Sequence, residues 1–139
     1  HGFRKKRSTE PQLLLTTDDF MLGLEKNIQT DAILLDFSKA FDKVPHHLLI
    51  HKLARYGINS NAISWISSFL NNRTQEVHVQ GSQSQTSEVT SGVPQGSVLG
   101  PLLFLMFIND MPSYLKNSST TRLFADDEII YGQIKTPQD

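Results

Sequence analysis

The chain has 139 residues, no cysteine and a formal net charge of −1. Its hydrophobic fraction of 38% and charged fraction of 19% predict one globular domain, or a large piece of one, and argue against disorder. The lack of cysteine excludes disulfides and thiolate metal sites. The longest apolar run, residues 102–108, is too short to span a bilayer, and no signal-peptide pattern is present. We therefore expect neither a membrane anchor nor secretion.

Residues 9–36 predict a helix followed by a short buried strand. Thr9-Glu10-Pro11-Gln12 matches a capping box with proline in the first turn, and apolar residues then recur at helical spacing until about Gln29. Residues 32–35 form a continuous apolar run that ends at Asp36. A strand that is apolar on both faces is usually central, so we expect this strand in the middle of a sheet.

Two short helices are predicted next. Pro45 can open the first helix, and Gly57 suits the position just past its end. Ser60 can cap the second helix, in which apolar residues again recur at helical spacing. Nothing around Trp65 indicates a platform for stacking bases, so we expect its side chain to pack in the core.

The second half of the chain predicts strands around one buried helix. Alternation over residues 75–90 indicates a surface hairpin that turns at Gly81-Ser82. Glycine and proline punctuate a loop over residues 92–101, and residues 102–114 predict an apolar helix. Strand, tight turn and strand follow, with Asp126-Asp127 at the turn. This order of elements predicts an α+β fold with a largely antiparallel sheet packed on helices.

Carboxylates at the ends of predicted strands are the main candidates for chemistry. Asp126, Asp127 and Glu128 are adjacent acids, and their proximity costs energy unless the turn is exposed or a cation is bound. If this hairpin pairs beside the earlier strand, Asp36 and Asp126 converge. Such a pair suits Mg²⁺, with Mn²⁺ as a substitute, and can hold two ions for in-line phosphoryl transfer. An exposed acidic turn in a structural or interaction domain is the alternative.

Four segments, in order, resemble the conserved motifs of non-LTR retrotransposon reverse transcriptases. Residues 32–46 closely resemble the first catalytic motif, residues 91–104 the second conserved block, and Phe124-Ala125-Asp126-Asp127 the aromatic-x-Asp-Asp box. Residues 2–9 are similar to the segment just before the palm. The resemblance implies one partial reverse transcriptase domain over residues 1–139, comprising polymerase right-hand palm and an adjoining fingers segment. A group II intron-type reverse transcriptase is a narrower alternative.

The resemblance also implies a catalytic metal site. Asp36 and Asp126 would be the principal magnesium ligands, Asp127 the third acid, and the backbone carbonyl of Phe37 a further ligand. One of two ions would lower the pKa of the attacking hydroxyl, and the other would stabilise the leaving oxygen. Glu128 departs from the family, which often has a hydroxyl or small residue there. An extra acid at that position can raise neighbouring pKa values or compete for magnesium.

Contacts to substrates follow from the same resemblance. Phe41 matches the steric gate, where a ring under the sugar would reject a 2′-hydroxyl; plain core packing is its structural alternative. Gln95 and Gly96 match positions that approach the incoming nucleotide and the template, although the same loop can simply cap the next helix. Four consecutive cations could contact the template backbone: Arg4, Lys5, Lys6 and Arg7.

The implied activity is that of an RNA-directed DNA polymerase, with an RNA template, a DNA primer and deoxynucleoside triphosphates as partners. The upstream fingers, the primer grip and the thumb of the family are missing from these residues, so we expect the isolated piece to be inactive. The alternative is a catalytically inactive remnant, or a nucleic-acid-binding piece, of a degraded element. Oligomeric state is left open, as is a nuclear or a cytoplasmic location.

Overall fold

The computed structural model describes residues 8–114 and 119–134, so Arg4 to Arg7 lie outside the described residues. In chain order its elements are α1 (Thr9–Glu25), β1 (Gln29–Asp36), α2 (His46–Arg55), α3 (Ser60–Leu70), β2 (Arg73–Gln75), β3 (His78–Val79), β4 (Ser82–Gln83), β5 (Ser87–Val89), α4 (Leu99–Ile108), a 3₁₀ helix (Met111–Tyr114), β6 (Thr120–Phe124) and β7 (Asp127–Ile134). None of the helices in these ranges combines the length and apolar character that a membrane crossing requires.

The chain divides into two compact units. The sheet unit comprises His1–Ser38 and Ile108–Asp139, and the loop unit comprises Lys39–Phe107. Helices occur with antiparallel strand pairs throughout the described ranges. The predicted α+β class is therefore confirmed.

A three-stranded antiparallel sheet forms the sheet unit, in the order β1, β7, β6. The prediction that β1 is central is wrong, because β7 takes that place and β1 lies at the edge of the sheet as described. Ile33 and Leu34 on β1 are consequently 59% and 78% exposed. An apolar run reveals that both faces of a strand are apolar, but it carries no information about which strand edges are paired.

Helix α1 packs on one face of this sheet. The Phe20 ring meets the Tyr131 ring edge-on with centroids 5.0 Å apart. Gly23 permits the close approach, since a Cβ there would lie 2.9 Å from the Thr30 Oγ1. The predicted capping box at Thr9 is wrong: Ser8 is the N-cap residue, and its side chain makes no capping hydrogen bond. The helix also ends before Gln29, because Asn27 takes a φ of +52° just beyond it.

In the loop unit, helices α2, α3 and α4 pack around an apolar core. Its buried residues are Val44, Leu49, Leu53, Leu70, Val93, Leu103 and Phe104. Asn59, rather than the predicted Ser60, caps α3 and accepts a hydrogen bond from the Asn61 amide at 2.8 Å. Trp65 is 59% exposed, so its predicted core position is wrong. The helical period buries Leu70 at the inner face and leaves Trp65 on the outer one.

Two short hairpins complete the loop unit. Strand β2 pairs with β5, and β3 pairs with β4 across the turn at Gln80-Gly81. Val77 and Val79 are both exposed. The surface hairpin predicted for this region is confirmed, with its turn one residue earlier than expected.

Candidate active site

Three aspartates lie at one end of the sheet unit. Asp36, the last residue of β1, is directly opposite Asp127, the first residue of β7. Asp127 is in turn opposite Phe124 of β6, so Ala125 and Asp126 form a two-residue turn between them. Ala125 has a φ of +55°, a conformation that two-residue hairpin turns favour. We call Asp36, Asp126 and Asp127 the aspartate edge. The cross-strand partner of Asp36 is thus Asp127, and Asp126 is the adjoining turn residue.

The aspartate edge borders a cavity of about 450 Å³ in the sheet unit. Directly opposite residues share a face, so Asp36, Asp127 and Phe124 project from the same side of the sheet. Helix α1 covers that side, as the Phe20 contact establishes. The first half of α1 lines the cavity together with Asp36, Asp127 and Arg122. Asp36 and Asp127 therefore share a recess with one guanidinium, and Glu128 also contributes to its lining.

The donor set of the aspartate edge suits a hard divalent cation. Mg²⁺ usually binds through one or two carboxylates and completes its shell with waters and substrate phosphates. Asp36 and Asp127 supply two facing carboxylates. Asp126 directly precedes Asp127 in the chain, and Phe37, with its backbone carbonyl, directly follows Asp36. Across residues 8–114 and 119–134, no group of three or more acidic, histidine or cysteine side chains is placed to hold a metal ion, so Asp36, Asp126 and Asp127 do not form one together. The protein donors paired across the strands are the carboxylates of Asp36 and Asp127, and an ion bound there would take most of its other ligands from water and phosphate.

Glu128 is a buried carboxyl immediately beside this edge. It is 3% exposed and lies between Leu35 and Leu123 on the neighbouring strands. Neither of its oxygens has a hydrogen-bond partner among the described residues. Burial raises the pKa of Glu128, because an apolar surrounding disfavours its charged form. Side chains alternate along a strand, so Glu128 points to the opposite face from Asp127.

A polar cluster that the sequence did not predict ties α1 to the hairpin. Arg122 donates from Nη2 to Asp19 Oδ2 at 2.6 Å and from Nε to the Tyr131 hydroxyl at 2.7 Å. The Tyr131 hydroxyl donates to the same Asp19 oxygen. These hydrogen bonds, from Tyr131 and then Arg122, hold the pKa of Asp19 below its ordinary value. An isolated arginine in an apolar strand was the available signal, but its partner lies 103 positions away.

The predicted nucleotide contacts lie in the loop unit. Gln95 donates from Nε2 to Asp42 Oδ1 at 3.2 Å, which brings Gln95 beside the residue that follows Phe41. The Phe41 ring stacks on Phe104 with centroids 4.3 Å apart. Gly96 has a φ of +77°, and no atom lies within 4 Å of the place a Cβ would take. Phe41 and Gln95 therefore belong to one local cluster, and part of the Phe41 ring is used in packing.

Comparison with known proteins identifies the class. The family described as reverse transcriptase (RNA-dependent DNA polymerase) matches residues 1–137. This chain therefore belongs to the reverse transcriptase family, whose members generally use divalent metal ions and act with a nucleic-acid template, a primer and deoxynucleoside triphosphates.

Several of its relatives come from mobile elements. The RNA-directed DNA polymerase from mobile element jockey of Drosophila melanogaster is 36% identical over 113 residues, which cover 81% of this chain and 12% of that protein. The probable RNA-directed DNA polymerase from transposon X-element of the same species is 33% identical over 129 residues, 91% of this chain and 14% of that protein. The retrovirus-related Pol polyprotein from type-1 retrotransposable element R2 of Popillia japonica is 32% identical over 89 residues, 63% of this chain and 12% of that protein. The resemblance to LINE-type reverse transcriptases is confirmed, and the chain spans about an eighth of these relatives' length.

Proposed function

We propose that this chain is the palm, with an adjoining fingers segment, of an RNA-directed DNA polymerase from a non-LTR retrotransposon. The observation that carries the proposal is the direct pairing of Asp36 with Asp127, with Asp126 in the adjoining turn, in a chain of the reverse transcriptase family. Other parts of a longer protein would supply the upstream fingers, the primer grip and the thumb. The reaction joins a primer 3′-hydroxyl to the α-phosphate of a deoxynucleotide and releases pyrophosphate.

The aspartate edge would be the catalytic centre. Asp36 and Asp126 would act as the principal ligands, Asp127 as the third acid, and the Phe37 carbonyl as a further oxygen donor. Two bound divalent cations, Mg²⁺ or Mn²⁺, would supply positive charge at the attacking and leaving oxygens. The protein's own contribution is positional, because strand pairing fixes two carboxylates and the two-residue turn fixes the third.

The loop unit would recognise the nucleotide. Phe41 would lie under the deoxyribose and exclude a 2′-hydroxyl, and its packing on Phe104 would hold the ring in place. Gln95 and Gly96 would approach the nucleotide and the template, with the Gln95 amide oriented by Asp42. The cations that would contact the RNA template, and weaken that contact as salt rises, are Arg4, Lys5, Lys6 and Arg7.

Primer extension on an RNA template tests the proposal, with residues 1–139 in their complete reading frame. Asp36→Asn should lower the rate by about 10³-fold or more, since a lost metal ligand removes several kcal/mol of transition-state stabilisation. Asp31→Asn is the matched control on the same strand, where an exposed carboxyl accepts a local hydrogen bond from Gln29. Its rate should equal that of the wild type. Equal rates for Asp36→Asn and wild type would refute the catalytic assignment.

A catalytically inactive remnant is the second candidate, and Glu128 is the observation that favours it. A buried carboxyl without a hydrogen-bond partner among the described residues stands directly after the Asp pair. If Glu128 has silenced the site, Glu128→Ser should extend primers where the wild type does not. If the wild type is active, Glu128→Ser should leave the rate within a small factor, and the remnant hypothesis fails.

A further inference from the structure

We propose that Asp19 is a positioning residue that holds the Arg122 guanidinium away from the aspartate edge, so that Asp36 and Asp127 stay available to divalent cations. The inference rests on the proposed function, because it assumes that these carboxylates bind metal. The residues concerned are Asp19, Arg122 and Tyr131, which lie outside the four segments that resemble family motifs.

Arg122 has the aspartate edge within reach. It lies opposite Ile129, and Asp127 is two residues before Ile129 on β7. Arg122 and Asp127 are therefore diagonal neighbours on one face, roughly 7–8 Å apart between Cα atoms, a spacing that long side chains bridge. Arg122, Asp36 and Asp127 also line the same cavity. Without another partner, a guanidinium placed there gains most by pairing with the two facing carboxylates.

Hydrogen bonds to Asp19 and Tyr131 hold the Arg122 guanidinium away from the aspartate edge. Its Nη2 and Nε are both engaged, by Asp19 at 2.6 Å and by the Tyr131 hydroxyl at 2.7 Å. Tyr131 also donates to Asp19, so the three groups close a ring of hydrogen bonds. Arg122 and Asp19 are both partly buried, which strengthens a charged pair relative to a fully exposed one.

The charged partner of Arg122 comes from α1, whereas Tyr131 belongs to the hairpin itself. Asp19 precedes Phe20, whose ring packs edge-on against Tyr131 and fixes this part of the helix on the sheet. Removing the Asp19 charge therefore leaves helix packing in place while it frees the guanidinium. The expected consequence is competition between Arg122 and a divalent cation for Asp36 and Asp127.

Mn²⁺ binding to the 139-residue chain tests this inference, with free Mn²⁺ followed by electron paramagnetic resonance. Asp19→Asn should weaken Mn²⁺ binding roughly tenfold, a usual size for losing a residue that supports metal ligands. Asp18→Asn, the exposed neighbour on α1, should match the wild type. The double variant Asp19→Asn/Arg122→Gln should recover most of the loss, because the competing cation is gone. A purely structural role for the cluster predicts the opposite, since the double variant removes both of its charges.

Tyr131→Phe provides an independent variant that keeps the ring contact with Phe20. It removes one of the two groups that hold Arg122, so Mn²⁺ binding should weaken, but by less than in Asp19→Asn. Unchanged binding in both Asp19→Asn and Tyr131→Phe would overturn the inference, as would a double variant no better than Asp19→Asn. A wild-type chain whose Mn²⁺ binding is indifferent to Asp36→Asn would overturn the proposed function itself, and this inference with it.

Discussion

The loop over residues 91–98 in the loop unit and the aspartate edge of the sheet unit differ in how their polar groups are paired. In this loop, Ser91 donates to the Asp42 carbonyl at 2.8 Å, and Ser97 donates to the Pro94 carbonyl at 2.7 Å. The aspartate edge instead places Asp36 directly opposite Asp127, and like charges in that relation destabilise a sheet. Packing and hydrogen bonding thus account for much of the loop sequence. They do not account for the aspartates, for which we propose a bound cation.

The largest change in the free energy of unfolding is expected for Gly92→Ala, which tests whether packing explains the loop sequence. A Cβ there would lie 2.7 Å from both the Cα and the carbonyl oxygen of Asp42, and Gly92 has a φ of +91°. Backbone strain and overpacking together should lower the free energy of unfolding by about 3 kcal/mol, as measured by urea denaturation. Gly57→Ala is the control, with a φ of +78° and no atom within 4 Å of the new Cβ. It should cost only about 1 kcal/mol, and equal losses would contradict the packing account.

The next largest effect on stability is expected for Glu128→Gln, beside the aspartate edge of the sheet unit. Burial raises the pKa of Glu128, so the folded state favours the protonated form. The associated stability is fully present below the ordinary value of 4.5 and is lost as pH rises through the raised pKa. Glu128→Gln should therefore change little at pH 4 and stabilise the fold by roughly 1 kcal/mol or more at pH 8.

Urea midpoints at the two pH values measure this difference. Asp31→Asn, an exposed acid on the same sheet, should show no comparable dependence on pH. If Glu128→Gln changes stability equally at pH 4 and pH 8, the raised pKa is not coupled to folding.

The smallest effect is expected for Lys52→Met in the loop unit. Lys52 donates from Nζ to the Phe107 carbonyl at 2.5 Å near the end of α4 and lies 4.7 Å from the centre of the Phe107 ring. Methionine keeps the apolar stem but loses both contacts, so unfolding free energy should fall by about 1 kcal/mol. Lys43→Met, at an exposed position, should have no measurable effect. An unfolding free energy equal to that of the wild type in Lys52→Met would show that these two contacts do not stabilise the loop unit.

Local patterns predicted the kinds of element but not their pairing. Helical periodicity and the Gly57 stop located α2, because both depend on neighbours in sequence. The edge position of β1 was missed, since strand neighbours are chosen over long range. Trp65 was predicted to pack in the core because nothing around it indicates a stacking platform, but its position in the helical repeat leaves it exposed.

The candidate site shows a similar division. Convergence of Asp36 with Asp126 was expected on the condition that the last hairpin pairs beside the strand ending at Asp36, and β7 of that hairpin does pair with β1. The sequence placed the turn at Asp126-Asp127, whereas the turn is at Ala125-Asp126. A shift of one residue reverses which side chains share a face, and Asp127 rather than Asp126 becomes the direct partner. Asp19, distant in sequence from Arg122, could not be found from any local pattern.

Thermal unfolding with and without Mn²⁺ tests most directly whether the aspartate edge binds a divalent cation and destabilises the fold when no cation is bound. Without Mn²⁺, Asp36→Asn should be slightly more stable than wild type, by up to about 1 kcal/mol, because a like-charge pair is removed. With Mn²⁺ at about one hundred times its dissociation constant, the wild type should gain roughly 2.7 kcal/mol and Asp36→Asn much less, while Asp31→Asn should follow the wild type. The proposed cation site would be contradicted if Mn²⁺ stabilised Asp36→Asn as much as the wild type and if Asp36→Asn without Mn²⁺ were less stable than the wild type.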